Sequence, residues 1–388
     1  MADTAARKAS PAASTERQAA SPAASGFSLA QARSIVGESF RPKPWVYWTD
    51  LLASWAVAMV AFQLVTAPVL GDSAADWAIR VGCFLVSSLL IYRCSLFIHE
   101  LMHLPEDKMV VFRKAWNLIC GVPFLIPSFI YLTHIHHHRR KHYGTEHDGE
   151  YLPLSSRSPW YLVWYLSQSL FIPVLAVVRF GVLTPLTWFN TPLRQWVLRH
   201  ASSMIIDPAY LRPLPTEKTL RLIRRQERFV FAYLVIFGVL IYRGAFHNGL
   251  VNPWVLLQAY LTGVTIVTIN ALRTVGAHRW LNADESEMTF VEQLVDSVNY
   301  DRGWLAELWA PVGLRYHALH HLFPSMPYHA LPTAHARLMA GLPADSPYRQ
   351  TVGKSLTAEL ADLWRRAAES QHSSEKAPRG KRSQLAAP

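Results

Sequence analysis

Long apolar segments alternate with polar and charged ones along the chain. Four of them share a length that suits a bilayer: residues 45–70, 78–98, 229–246 and 251–272. A helix needs about 20 apolar residues to cross the hydrocarbon core of a membrane. The pattern predicts an all-α integral membrane fold with four transmembrane helices in two hairpins, which turn at residues 71–77 and 247–250. For any single run the alternative is a buried helix of a large soluble protein.

Two further apolar segments are interrupted and do not suit a straight crossing. Residues 115–133 are broken by Pro123 and Pro127, and residues 159–188 are broken by two prolines and one arginine. Irregular backbone at membrane depth is tolerated where protein surrounds it, which favours a re-entrant or interfacial hairpin for the first segment. The second is predicted to form interfacial helices that lie on the cytosolic surface.

The distribution of charge predicts the orientation. Basic residues are concentrated in residues 194–228 and in the N-terminal 43 residues, whereas the turn after the first crossing carries Asp72 and Asp76. Basic loops remain on the cytoplasmic side of a membrane. We therefore expect a multi-pass protein whose two termini and central segment face the cytosol.

Composition changes this picture little. The net charge of +11 is spread over loops that flank the membrane and shows no recognition motif, so no nucleic-acid partner is predicted. The three cysteines permit neither a disulfide framework nor a cysteine zinc site. We divide the chain into a disordered cytosolic tail (residues 1–44), a membrane domain (45–345), and a cytosolic C-terminal helix with a disordered basic tail (346–388).

Three histidine clusters lie where apolar segments meet polar ones. They are His99-Glu-Leu-Met-His103, His134-Ile-His-His137-His138 and His317-Ala-Leu-His320-His321. Residues three and four apart share one face of a helix, so each cluster aims its imidazoles in one direction. Imidazole binds iron, zinc, copper and nickel, and eight such ligands are too many for one ion. The clusters therefore predict a histidine-rich di-metal site in a cytosolic helical cap.

A site of neutral imidazoles leaves the charge of its metal ions largely uncompensated by protein. Iron held in this way is suited to oxygen activation. At the cytosolic ends of membrane helices it would be accessible to long apolar substrates from the bilayer and to soluble electron donors from the cytosol. The pattern favours oxidation of an unactivated C–H bond.

The clusters, with the stretch YHALHHLFPSMPYHAL that contains the third, resemble those of the membrane fatty acid desaturase superfamily over about residues 45–345. The resemblance, which is to bacterial acyl-lipid members, implies a desaturase of lipid acyl chains in the bacterial inner membrane. It implies two iron ions, O2 as co-substrate, and a ninth histidine after the fourth crossing, which His278 fits. Carried over by position, the metal ligands are His99, His103, His134, His137, His138, His278, His317, His320 and His321.

Some positions depart from particular members of that superfamily. Thr274 stands where some acyl-CoA members have asparagine, and His317 stands where front-end members usually have glutamine. The first cluster has three intervening residues, which points away from the acyl-CoA subgroup. Because no haem-binding His-Pro-Gly-Gly segment is present, the expected partner is a separate ferredoxin or cytochrome b5 type donor with its reductase, and no haem or flavin is predicted.

Three alternatives stay open. A hydroxylase or carotenoid ketolase could use the same scaffold. The first cluster also matches HExxH, with Glu100 as the general base of an intramembrane zinc protease, although the last two apolar runs supply no acidic third ligand. A binding protein with a decayed centre is the third alternative, and the intact clusters argue against it.

Several residues near the clusters are candidates for supporting roles. Ligating imidazoles usually donate their second N–H to a carboxylate or carbonyl. The candidate carboxylates are Asp148, Glu150, Asp296 and Asp301. His142 is a possible ligand or hydrogen-bond partner, whereas a helix would turn His136 away from His134 and His138. We expect His329 and His335 to be structural or surface residues.

Overall fold

Helices account for the regular structure of the chain. The computed structural model describes residues 27–247, 249 and 251–376, and among these there are isolated β-bridges but no strand. The α-helices are α1 (Leu29–Val36), α2 (Pro44–Val65), α3 (Ala74–His103), α4 (Val110–Trp116), α5 (His134–His137), α6 (Trp160–Ser167), α7 (Ile172–Val177), α8 (Thr184–Leu186), α9 (Thr191–His200), α10 (Glu217–Phe246), α11 (Trp254–Ala277), α12 (Phe290–Asp296), α13 (Ala306–Trp309), α14 (His317–Leu322), α15 (Leu331–Gly341), α16 (Pro347–Gln350) and α17 (Leu356–Lys376). Short π-helical segments span Asn117–Gly121 and Val178–Leu183, and 3-10 turns span Ser128–Tyr131, Gln168–Leu170 and Tyr328–Ala330.

Four helices are long and apolar enough to cross a membrane: α2, α3, α10 and α11. They confirm the four predicted crossings. A capping box of Ser73 and Asp76 begins α3, which continues to His103 and so carries the first histidine cluster on its last turn. The N-terminal ends of α2 and α10 and the C-terminal ends of α3 and α11 lie on the side of the histidine clusters, called here the histidine side. Residues 248 and 250 of the predicted second turn lie outside the described residues.

A helical hairpin, residues 110–131, lies between the first two histidine clusters. The Asn117 side chain closes it by accepting a hydrogen bond from Ser128 N at 2.9 Å. The hairpin is anchored in the membrane helices, since Trp116 Nε1 donates to Cys94 O at 2.8 Å. Because the first histidine cluster precedes the hairpin and the second follows it, both of its ends lie on the histidine side, as predicted for this proline-containing segment.

A second bent element descends beside α10 and α11. The direction of the helix changes by 52° between its two arms, Trp160–Leu170 and Ile172–Leu186. Pro173 packs on Gly263 near the middle of α11, and Tyr260 Oη donates to a carbonyl at the bend. The prediction of helices that lie flat on the cytosolic surface is wrong for this segment. A surface helix needs a polar face, whereas the exposed side chains near this bend are apolar.

A buried ion cluster joins the second arm, Ile172–Leu186, to α10. Glu227 accepts from Arg179 Nη2 and from Arg194 Nη1, each at 2.6 Å, and its side chain is 1% exposed. Arg179 also donates to Ala201 O at 2.6 Å and to Ser202 Oγ at 3.0 Å. The cluster stabilises the packing of the bent element on α10, because the carboxylate of Glu227 neutralises the charges of both arginines.

Replacing Glu227 by glutamine is expected to lower the free energy of unfolding by about 3–5 kcal/mol, because it leaves two buried guanidinium groups without a counter-charge. A clear drop in the thermal unfolding temperature in detergent would show this. Lys218→Ala is the matched control, since its ion pair with Glu106 is exposed and we expect no change. An unfolding temperature of Glu227→Gln equal to that of the wild type would contradict the prediction.

Both terminal segments pack on the histidine side. Phe27, Ala32 and Val36 are buried against α15, so the prediction of a disordered tail over residues 1–44 is wrong for residues 27–43. The predicted C-terminal helix is present as α16 and α17, and Leu356 packs directly on Gly276 at the end of α11. The tail sequences at residues 1–26 and 377–388 lie outside the described residues.

Candidate metal centre

The first histidine cluster lies on the last turn of α3. His99 and His103 are four residues apart, so both rings point from the same face of the helix, with centroids 5.0 Å apart. Neither ring nitrogen of His99 has a hydrogen-bond partner in the described structure, although the residue is buried. A buried donor atom without a partner is costly in a finished protein interior, which favours a ligand at this position.

The second cluster divides its histidines between two directions. His134 and His138 are four residues apart, and their Nε2 atoms approach to 2.9 Å. His137 precedes His138 directly and therefore projects elsewhere, where its Nε2 atom lies 3.2 Å from Nε2 of His278. One short helix thus supplies donors to two neighbouring positions.

The third cluster makes the complementary division. His317 and His321 are four residues apart on α14, with Nε2 atoms 3.0 Å from each other, and His317 Nε2 lies 2.9 Å from Nε2 of His278. His320 projects to the other position, where its Nε2 atom lies 3.2 Å from those of His103 and His138. The second and third clusters therefore each contribute to both positions.

The nine predicted ligands converge in two adjacent groups. Group I is His99, His103, His134, His138 and His320, and group II is His137, His278, His317 and His321. Within each group, one nitrogen from every ring lies within 4.8 Å of the others. The groups touch where the rings of His138 and His321 stack, with centroids 4.2 Å apart.

These groups fit a pair of metal ions. With metal–nitrogen bonds of about 2.1 Å, neighbouring ligand atoms are separated by about 3.0 Å at right angles and about 3.4 Å in a tetrahedral site. The Nε2 separations of 2.9–3.2 Å are close to this range. Burial and the neighbouring rings hold the pKa of His134, His138 and His317 well below its ordinary value. The rings are therefore neutral near pH 7, and a neutral imidazole is the form that binds a metal.

Acidic residues orient one histidine of each group. Glu150 lies 2.9 Å from Nδ1 of His134, and Asp148 lies 2.8 Å from Nδ1 of His137. Burial raises the pKa of Glu150 to about 7. Burial would also raise the pKa of Asp148, but its ion pair with His137 outweighs that effect and lowers it. Both carboxylates leave the Nε2 atom of their partner free to face its group.

Tyr143 supports His278, and its role was not predicted from the sequence. Its hydroxyl lies 2.8 Å from Nδ1 of His278 and donates to Asp296 at 2.6 Å. Backbone bonds on both sides of His278, from Val298 N to Ala277 O at 2.9 Å and from Arg279 N to Asp296 O at 2.7 Å, hold it in extended conformation. No local sequence pattern identifies Tyr143, five residues after His138, as the partner of His278.

The other polar residues near the clusters have separate contacts. Asp301, predicted as a supporting carboxylate, faces His335 at 3.7 Å instead of a cluster histidine. His136 and His142 lie outside both groups and face each other, with ring centroids 5.2 Å apart. His329 Nε2 accepts from the backbone of residue 43. The supporting set among the four candidates is therefore Asp148, Glu150 and Asp296.

The position of Glu100 bears on the protease alternative. Its carboxylate accepts a hydrogen bond from Tyr47 Oη at 2.6 Å and from Tyr328 N at 3.2 Å. These contacts tie α3 to α2 and to the segment after the third cluster. A protease of the HExxH type needs this glutamate as the general base beside a metal-bound water, so its structural use here argues against that alternative.

Comparison with known proteins gives two matches that cover most of the chain. The family model for fatty acid desaturases matches residues 75–352, which include all nine histidines. A ceramide hydroxylase from Caulobacter vibrioides (strain NA1000 / CB15N) is 38% identical over 352 residues, which cover 88% of this chain and 95% of that protein. No solved structure matches.

Proposed function

The chain belongs to the fatty acid desaturase family, and on that basis we propose that it is a membrane di-iron oxidoreductase that oxidises an acyl chain of a lipid with O2. The observation that carries the proposal is the pair of adjacent, buried imidazole groups at the ends of four apolar helices. Two iron ions held there would supply, with O2 and two electrons, an oxidant for an unactivated C–H bond.

The protein residues would hold and protect this centre. Groups I and II would bind one ion each, and Glu150, Asp148 and Tyr143 would fix the tautomer of His134, His137 and His278. Most of these rings are buried, which limits the access of water and so the wasteful reduction of O2. A separate ferredoxin or cytochrome b5 type protein with its reductase would deliver the electrons at the histidine side. We propose that this side faces the cytosol, because the basic residues 194–228 are of the kind that stay on the cytoplasmic side of a membrane.

We propose hydroxylation of a ceramide-type lipid as the specific reaction, because the relative with 38% identity is named a ceramide hydroxylase. The balance is R–H + O2 + 2 electrons + 2 protons → R–OH + water. Desaturation is the second candidate, supported by the family model and by the histidine clusters. It removes two hydrogens from adjacent carbons and yields two waters from the same O2, electrons and protons. A carotenoid ketolase has no observation in its favour.

The test is expression of the full chain with a ferredoxin, its reductase and supplied ceramide, followed by mass spectrometry of the extracted lipids. Hydroxylation predicts an O2-dependent product heavier by one oxygen, and labelled O2 should appear in it. Desaturation predicts a product lighter by two hydrogens. If iron-loaded, reducible protein forms neither product from ceramide or phospholipid acyl chains, the proposed function is wrong.

A further inference from the structure

Arg273 is a buried arginine within a membrane-spanning helix and close to the metal centre. It lies on α11, five residues before His278, which corresponds to an axial distance of about 7.5 Å in a helix. The residue is 7% exposed. A charged side chain at such a position is costly and is usually retained for a function.

The contacts of Arg273 do not neutralise its charge. Nη2 donates to Asn270 Oδ1 at 3.1 Å and to Thr274 Oγ1 at 3.0 Å, both neutral groups on the same helix. Nε is buried and has no hydrogen-bond partner among the described residues. The hydroxyl of Tyr92, which donates to Trp309 O at 3.0 Å, is a further neutral acceptor beside the guanidinium. The guanidinium therefore keeps at least one N–H group unused.

The other arginines in the buried parts of the spans are matched. Arg93 makes two hydrogen bonds to Asp50, at 2.6 and 2.7 Å. Arg80 donates to carbonyls at the end of α2 and in the following turn, including Leu70 O at 2.6 Å. Arg273 interacts electrostatically with Glu150, but that carboxylate already binds His134 and Tyr131. Arg93 thus has a counter-charge and Arg80 has several carbonyl acceptors, whereas Arg273 keeps a buried N–H group without an acceptor.

We propose that Arg273 binds an oxygen atom in the polar linkage of the lipid substrate, and so positions the acyl chain beside the two histidine groups. The inference rests on the proposed function for the nature of the substrate. A guanidinium offers several N–H donors in a plane, and the amide carbonyl or a hydroxyl of a ceramide is an acceptor that suits its unused, buried N–H group. Arg273 is in this sense a positioning residue that determines specificity, and it does not take part in the oxidation.

The test separates binding from oxidation. The full chain is loaded with zinc, which cannot undergo redox chemistry, and its affinity in detergent is measured for N-hexadecanoylsphinganine, palmitate and hexadecane. Arg273→Gln is expected to weaken binding of the two oxygen-bearing lipids by about 10- to 100-fold, the range for loss of a hydrogen bond to a charged donor. The affinity for hexadecane should not change, because its chain has no acceptor.

Two further variants control for structure. Thr262 lies on the same helix about 16 Å from Arg273, and its hydroxyl is also a buried polar group without a hydrogen-bond partner among the described residues. The variant Thr262→Val should therefore bind all three lipids like the wild type. Arg273→Lys keeps the charge and should lose less affinity than Arg273→Gln. If the glutamine variant does not fold, judged by zinc content and thermal unfolding, a selective loss for oxygen-bearing lipids in the lysine variant decides the question.

The proposal is overturned if the Arg273 variants bind the oxygen-bearing lipids as the wild type does, if they lose hexadecane to the same extent, or if the wild type binds none of the oxygen-bearing lipids. Oxidation is measured separately on iron-loaded protein. Binding that depends on Arg273 without any oxidised product would leave the lipid site standing and overturn the proposed function instead.

Discussion

Replacing His320 by alanine is expected to lower lipid oxidation by at least about 100-fold, beyond the 10- to 100-fold usual for residues that only support a metal ligand. His320 comes from the third cluster but belongs to group I, where its Nε2 atom lies 3.2 Å from those of His103 and His138. Its ring also lies 4.3 Å from that of His99. Its loss removes the donor that connects the third cluster to the first.

The measurement is the oxidised product together with the metal content of the purified protein. We expect the variant to retain fewer than two metal ions per chain, with the deficit in group I. His136→Ala is the matched control because it removes an imidazole from the second cluster that lies outside both groups, and it should keep metal and activity. A His320→Ala protein with two ions and wild-type turnover would rule out the ligand set proposed here.

Much of this centre could be predicted from local sequence, because helical spacing decides which rings share a face. The four-residue spacings of His134 with His138 and of His317 with His321 each bring two rings together. The adjacent residues His137 and His320 then have to project elsewhere. The packing of α3, α5, α11 and α14 determines which clusters contribute to the same metal position. The spacing of residues within a cluster does not predict that packing.

The membrane helices were predictable for a similar reason, whereas the elements around them were not. Uninterrupted apolar runs identify α2, α3, α10 and α11 because a helix in lipid must satisfy its own backbone and present apolar side chains. The bent element with its two arms carries the same apolar composition in shorter pieces, so composition alone cannot place it on the surface or beside α11. The packing of α1 against α15 depends on only a few buried side chains, such as Ala32 and Val36.

Contacts between residues that are far apart in the chain are the hardest to predict from the sequence. Tyr143 reaches His278 over 135 residues of sequence, and the buried Nε of Arg273 that has no hydrogen-bond partner among the described residues is visible only in the structure. Asp148 and Asp301 show the same limit of prediction from sequence for carboxylates. Both were equal candidates as carboxylates near a cluster, yet only Asp148 binds a cluster histidine. That difference allows a controlled experiment.

Replacing Asp148 by asparagine is expected to weaken metal binding in group II by about 10- to 100-fold. Asp148 accepts from Gly144 N at 3.1 Å and from Glu150 N at 3.0 Å, and its Oδ2 atom holds Nδ1 of His137 at 2.8 Å. The side chain is 1% exposed, so water cannot replace the lost carboxylate. An amide lacks the negative charge that favours the Nδ1–H tautomer, which leaves Nε2 free to bind a metal.

Competition with a chelator measures this effect, since the variant should release one of its two ions at a lower chelator concentration while the ion in group I follows the wild type. Asp301→Asn is the matched control, because it makes the same chemical change near the third cluster without contacting either group, and its two ions should be released as in the wild type. Thermal unfolding of the metal-loaded proteins checks that Asp148→Asn is folded. Equal release from Asp148→Asn and Asp301→Asn would contradict the prediction, since it would mean that the carboxylate of Asp148 does not support His137 as a metal ligand.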